Sequence, residues 1–113
     1  MLKRFLVLYH IPTHVMDEWL KTDEAERKKQ ESALMQEWGK WMAQHGDRIV
    51  STEAAGKTKL ANAAGIADIR NSIHMMSIVQ AESHDAAAQI FKDHPQFVIP
   101  EASMEIMELR PMG

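Results

Sequence analysis

The chain of 113 residues has no cysteine, one tyrosine, four prolines and five glycines, and its longest apolar run is Phe5–Tyr9. Without cysteine, disulfides, thiolate metal ligands and cysteine nucleophiles are excluded together, and a reducing, cytoplasmic location is the expectation. Without a long apolar run there is no candidate membrane helix, which needs roughly 20 such residues. Low-complexity tracts, repeats and Pro/Gly-rich linkers are also missing, so residues 1–113 are expected to form a single domain. Nor is there an excess of positive charge. Lys and Arg number 13 against 16 Asp and Glu, giving a net charge of −3 and a pI near 6.0. The two signs are interleaved, so no basic stripe remains to release counterions from a phosphate backbone, and nucleic acid is not an expected partner.

Apolar residues at 45% and charged residues at 26% are an ordinary globular mix. Lys3-Arg4 before Phe5–Tyr9 imitates a short signal peptide, but His10 interrupts the run and no small-residue cleavage site follows. Residues 3–10 therefore read as a buried strand, apolar on both faces and so covered on both. Thr13 begins a short helix with Met16, Trp19 and Leu20 on one stripe. Asp23 and Glu26 have the spacing of a cap for a longer helix, whose apolar positions are Leu34, Trp38, Trp41 and Met42. Gly46 is expected to stop it in the left-handed region. Arg48–Ala54 reads as a shorter strand. Residues 55–72 show no apolar period and read as an irregular loop, functional or flexible. Residues 73–82 form the next strand. Ser83 caps a second long-range helix that Pro95 cannot continue, and residues 103–110 close the sheet.

This order, β-α-β-β-α-β, predicts an α+β, ferredoxin-like subunit with a four-stranded antiparallel sheet in the order 4-1-3-2. Helices cover one face of such a sheet. The apolar residues on the other face, with Met107 and Leu109 of the last strand, predict a second copy against it in a two-fold homodimer.

The predicted topology gathers chemistry at one end. His10, His14, His74 and His94, with Asp93 and Glu101, belong to the end of the sheet where the first strand finishes, and Tyr9 and Arg70 reach the same rim. His45 and His84 go to the other end. Candidate catalytic residues are His94, with Asp93 orienting it, and His10, acting as acid or base near neutral pH. Candidate ligand-binding residues are His74, His14, Trp38, Trp41 and Met75, the last three expected, with Met76, to line an apolar cavity between helix and sheet. For His14 a solvated helix residue, and for His94 a helix C-terminal one, are the plainer readings. A metal held by two or three imidazoles rests on topology alone, because no His-Glu-x-x-His spacing is present. No metal and no cofactor are expected. Gly56-Lys57-Thr58 ends like a phosphate-binding loop, but position 51 is Ser where that loop needs Gly.

Lys3–Tyr9, Ser83-His84-Asp85-Ala86-Ala87, Asp93-His94-Pro95, Met104-Glu105-Ile106 and Arg110-Pro111-Met112 together resemble the YCII-related (DGPF-domain) family. The Asp-Gly-Pro-Phe segment that names its larger branch is missing, with Ala63–Ser72 in the corresponding place. The resemblance implies a dimeric α+β barrel of ferredoxin-like subunits and a cleft near the end of the second helix, where His94 beside Asp93 matches the family's histidine position. The helix-one histidine of the suggested family pair falls near Met35 here. The functional expectation is a homodimer that binds a small, partly apolar molecule, whether or not it is an enzyme using histidine acid–base chemistry. The alternatives are a cofactor-free monooxygenase-like or isomerase-like barrel enzyme, and a non-catalytic regulatory or interaction module.

Overall fold

Phe5, Val7 and Tyr9 alternate along strand β1 (Lys3–His10) and are fully buried, while Leu6, Leu8 and His10 between them are only partly covered. That period of two fixes which face of the sheet the helices occupy. The structure, a computed structural model, describes residues 1–112. After β1 come helices α1 (Thr13–Leu20) and α2 (Glu24–His45), then strands β2 (Ile49–Ala54), β3 (Thr58–Asn62), β4 (Gly65–Ile69) and β5 (Ile73–Ala81). Helix α3 (His84–Ile90) and strand β6 (Ser103–Glu108) complete the order, with 3₁₀ turns at Gly46–Arg48 and Pro95–Val98.

The expected ferredoxin-like subunit, with a single four-stranded sheet in the order 4-1-3-2 and assembled into a dimeric α+β barrel, is not the observed architecture. The described residues form an α+β fold with three α-helices and two sheets: a four-stranded sheet in the order β2-β5-β1-β6 and a separate two-stranded sheet, β3-β4. The two additional strands occupy the stretch expected to be an irregular loop. They pair in register from Thr58↔Ile69 to Asn62↔Gly65 around the two-residue turn Ala63-Ala64. The Asn62 side chain accepts the Ala64 N–H at 2.9 Å, and Gly65 takes φ +133°, which favours glycine. Turn chemistry makes this hairpin, and burial does not: no residue of β3 or β4 is buried. A hairpin without a buried face leaves no apolar period to read.

Helix α2 starts where the sequence indicates, with the Asp23 carboxylate accepting the Glu26 N–H. Its end differs from expectation. Gly46 is right-handed at φ −59°, so the helix tightens directly into the Gly46–Arg48 3₁₀ turn instead of stopping in the left-handed region. Twenty-two residues make α2 about 33 Å long, yet Trp41 near its C-terminus is its only buried residue. The core joins that end of α2 to α3 and the sheet, through Phe5, Val7, Tyr9, Trp41, Val79, Ala81, Ala87 and Phe91. Helix α1 contributes no buried residue. Two long-range polar contacts tie it down: Asp17 accepts two bonds from the Arg70 guanidinium, at 2.8 and 3.3 Å, and His14 meets Glu101 at 2.8 Å.

Among the described residues, no helix is long and apolar enough to cross a membrane.

Candidate functional site

Along β1, Tyr9 pairs with Met75 and His10 with Ile73, so His74 is the extra residue of a β-bulge. A bulge re-aims a side chain that strict alternation would send to the opposite face. Here it turns His74 to the helix side, where it joins Met75 in the wall of a groove and lies edge-on to Tyr9, with ring centroids 6.3 Å apart.

The groove runs between α1, the middle of α2, the end of the sheet and the Pro95–Val98 turn. Its volume is about 1570 Å³ and it is open to solvent along one side. Ile11, Val15, Trp19, Leu34, Trp38, Trp41 and Met75 supply apolar wall, while His74, Gln96, Asp93 and His14 supply polar atoms. It exists because α2 enters the buried core only near its C-terminal end, through Trp41, while near its start Arg27 lies over Trp19 of α1. The unanchored turns stand off the sheet and leave the gap.

His94 lies behind this wall, not in it. It is 2% exposed and enclosed by Tyr9, Trp38, Trp41 and Phe91, with the two tryptophan centroids each 4.5 Å away. Its Nδ1 accepts the Gln96 N–H at 3.0 Å. That bond leaves the proton on Nε2, which is buried without a hydrogen-bond partner. Burial, with a smaller push from His45, lowers its pKa to about 4. A charged imidazolium would find little solvation in this cage, so the group stays neutral at physiological pH.

Gln96 is the residue that sequence reasoning missed. It is 3% exposed, and its side-chain amide meets His74 Nε2 at 2.8 Å. Backbone and side chain of one residue therefore serve both histidines. A glutamine after His94-Pro95 carries no pattern that announces burial. His74 is also held below the usual histidine range, chiefly by burial. The Tyr9 backbone partly offsets this, although it lies outside hydrogen-bond geometry from the ring.

The remaining predicted residues are spread out. Trp38, Trp41, Met75, His74 and His14 line the groove, and so does exposed Asp93. Asp93 makes no contact with the His94 ring among the hydrogen bonds present, and the Gln96 amide takes the orienting role expected of it. His10 faces the other side of the sheet. Its Nδ1 is 2.6 Å from Ser72 Oγ, and Glu105 Oε1 stands 2.5 Å from its Nε2. The four histidines thus share one end of the sheet without converging on one point. Among the described residues no group of three or more His, Asp or Glu side chains is arranged to hold a metal ion.

No family model matches the chain, and no curated protein matches it either.

Proposed function

We propose that this protein is a homodimer that binds a small, partly apolar molecule in the groove between α1, α2 and the Pro95–Val98 turn. The observation that carries the binding half is the groove itself. An aromatic and aliphatic wall with a few polar groups, here His74, Gln96 and Asp93, is the usual make-up of a small-molecule site. Kinship with the YCII-related family is part of the same proposal and rests on the residues that carry the resemblance.

The dimer half rests on surface. The chain exposes 8166 Å², whereas a compact monomer of this mass exposes about 6300 Å². Its radius of gyration of 16.0 Å exceeds the roughly 13 Å of a compact chain this long. A stable interface needs about 800 Å² per partner, and the excess is larger than that. Leu6, Leu8, Met76 and Ile78, paired across β1 and β5 on the side away from the helices, with Met107 opposite Leu6, form the apolar patch that a second copy would cover.

Acid–base chemistry is the secondary part of the reading. His74 is the histidine best suited to it, because it lines the groove while His94 is sealed behind the tryptophans. The open side of the groove favours binding over a reaction that must exclude water.

An apolar anionic dye such as anilinonaphthalene sulfonate tests the groove, with Trp19, Trp38 and Trp41 as donors for energy transfer. One saturable site per chain is expected, weakened about tenfold by Trp38→Ala, the equivalent of about 1.4 kcal/mol. Binding that is unsaturable, or indifferent to Trp38 in a folded variant, would remove the groove as the site.

A further inference from the structure

On the sheet face opposite the groove, Ser72, His10 and Glu105 stand in line. We propose that they form a nucleophile, base and orienting group for acyl transfer, acting on small carboxylic esters. The constellation is assembled from three distant parts of the chain: the last residue of β1, the residue before β5, and the third residue of β6. Ser72 Oγ is 2.6 Å from His10 Nδ1, and Glu105 Oε1 is 2.5 Å from His10 Nε2. A hydroxyl within reach of an imidazole, which a carboxylate in turn addresses, is the arrangement that activates a serine.

The backbone explains why these three meet. Ile11 N–H donates to the Ser72 carbonyl at 2.8 Å, which clamps residue 72 against the end of β1. His10 pairs with Ser103 and Leu8 with Glu105, which puts Glu105 diagonally beside His10 on one face. In the single chain the His10 side chain is 17% exposed and the Glu105 side chain 62% exposed, and the assignment requires a second copy seated on Leu6 and Ile78 to leave this end of the face open. The Glu105 oxygen lies to one side of the Nε2 hydrogen-bond direction, a misalignment common in unliganded sites.

The step balances without a cofactor. Ser72 Oγ bonds to the ester carbonyl carbon as its proton passes to His10 Nδ1. The carbon–alkoxide bond then breaks, and the departing alkoxide takes that proton, leaving an acyl-serine. Water repeats the sequence with the same base, releasing the carboxylic acid and restoring the hydroxyl. The Glu105 carboxylate beside the ring steadies by its charge the imidazolium formed in each half.

A fluorophosphonate probe on the intact protein, followed by peptide mass spectrometry, tests this directly. The expected result is a covalent adduct on Ser72. His10→Gln should slow its formation by about a hundredfold, and Glu105→Gln should slow it less. A burst of p-nitrophenol from p-nitrophenyl acetate should accompany it and vanish in Ser72→Ala. No adduct on Ser72 of the folded wild-type protein, or an adduct whose rate ignores His10→Gln, overturns the assignment. The first readout requires no variant, so misfolding of a mutant cannot mask the answer.

Discussion

The Gln96 backbone N–H donates to Nδ1 of His94 at 3.0 Å and thereby fixes an uncharged imidazole in the aromatic core. Trp38 meets that ring at 89° and Trp41 at 65°. The histidine that sequence reasoning placed first among catalytic candidates thus acts as a joint. It caps the Pro95–Val98 turn on one side and seats the C-terminal half of α2 on the other.

Stability should accordingly fall in mild acid. His94 titrates near its ordinary value of 6.5 when unfolded and at about 4 when folded. Above pH 6.5 both states are neutral and the fold loses nothing. Between 6.5 and 4 only the unfolded chain takes up the proton, so stability drops as pH falls and levels off below 4. A displacement of this size corresponds to about 3 kcal/mol, and His74, shifted the same way, adds to the slope. Urea titrations across that window should show the loss. His94→Asn, which keeps an acceptor for Gln96 N–H and removes the titrating ring, should flatten most of it.

Trp41 holds α2 to the rest of the molecule. It is 6% exposed, donates its indole N–H to the Ile90 carbonyl at 3.2 Å, and packs tilted against Phe91 and edge-on to His94. Trp41→Ala should cost about 3–5 kcal/mol, a large part of the 5–15 kcal/mol a domain typically has. Trp41→Phe keeps the packing and should cost about 1–2 kcal/mol through the unpaired carbonyl. Denaturant midpoints for the pair would separate packing from hydrogen bonding. Equal losses would assign the hold to the hydrogen bond alone, and negligible losses in both variants would mean that α2 is held elsewhere.

Most of what was legible in the sequence was legible through apolar runs and helix caps. Residues 3–10 read as a strand, although the burial that alternates at Phe5, Val7 and Tyr9 was read as covering both faces; Asp23 marks the start of α2, and Ser83, which accepts the Ala86 N–H, marks α3. Trp38, Trp41 and Met75, expected at an apolar cavity from helix and strand spacing, line the groove, whereas Met76, expected with them, faces the other side of the sheet. The rest depends on backbone irregularities that composition does not encode. The bulge that turns His74 around, the clamp that brings Ser72 to His10, and the burial of Gln96 each arise from one hydrogen bond or one extra residue. The hairpin escaped for the opposite reason: it has no buried face at all.

That hairpin should be separable from the core. Gly65 at φ +133° is a conformation side chains rarely adopt, so Gly65→Val strains the turn by about 1 kcal/mol or more. An isolated two-stranded hairpin is marginal in water, which makes that cost decisive locally. Amide exchange across 58–69 should accelerate strongly. The unfolding midpoint of the four-stranded sheet should stay within about 0.5 kcal/mol of wild type. A larger global loss would show that β3 and β4 are coupled to the core.

The proposed dimer rests on the far face of the sheet. Ile78 lies at its centre, opposite Leu6 on one side and Ser51 on the other, and the helices on the opposite face do not touch it. Sedimentation of the wild type at micromolar concentration should give twice the 12.9 kDa chain mass. Ile78→Glu leaves the helix-side core intact, so the subunit should keep its fold. In a dimer, however, it buries two unpaired carboxylates near the two-fold axis, at a cost of several kcal/mol each. The variant should therefore run as a folded monomer, with unchanged near-ultraviolet dichroism from the Trp41 cage. A wild type that sediments at the single-chain mass would refute the dimer. An Ile78→Glu protein that stays dimeric would move the interface off this face, to the exposed turns of α2 or to the β3-β4 arm.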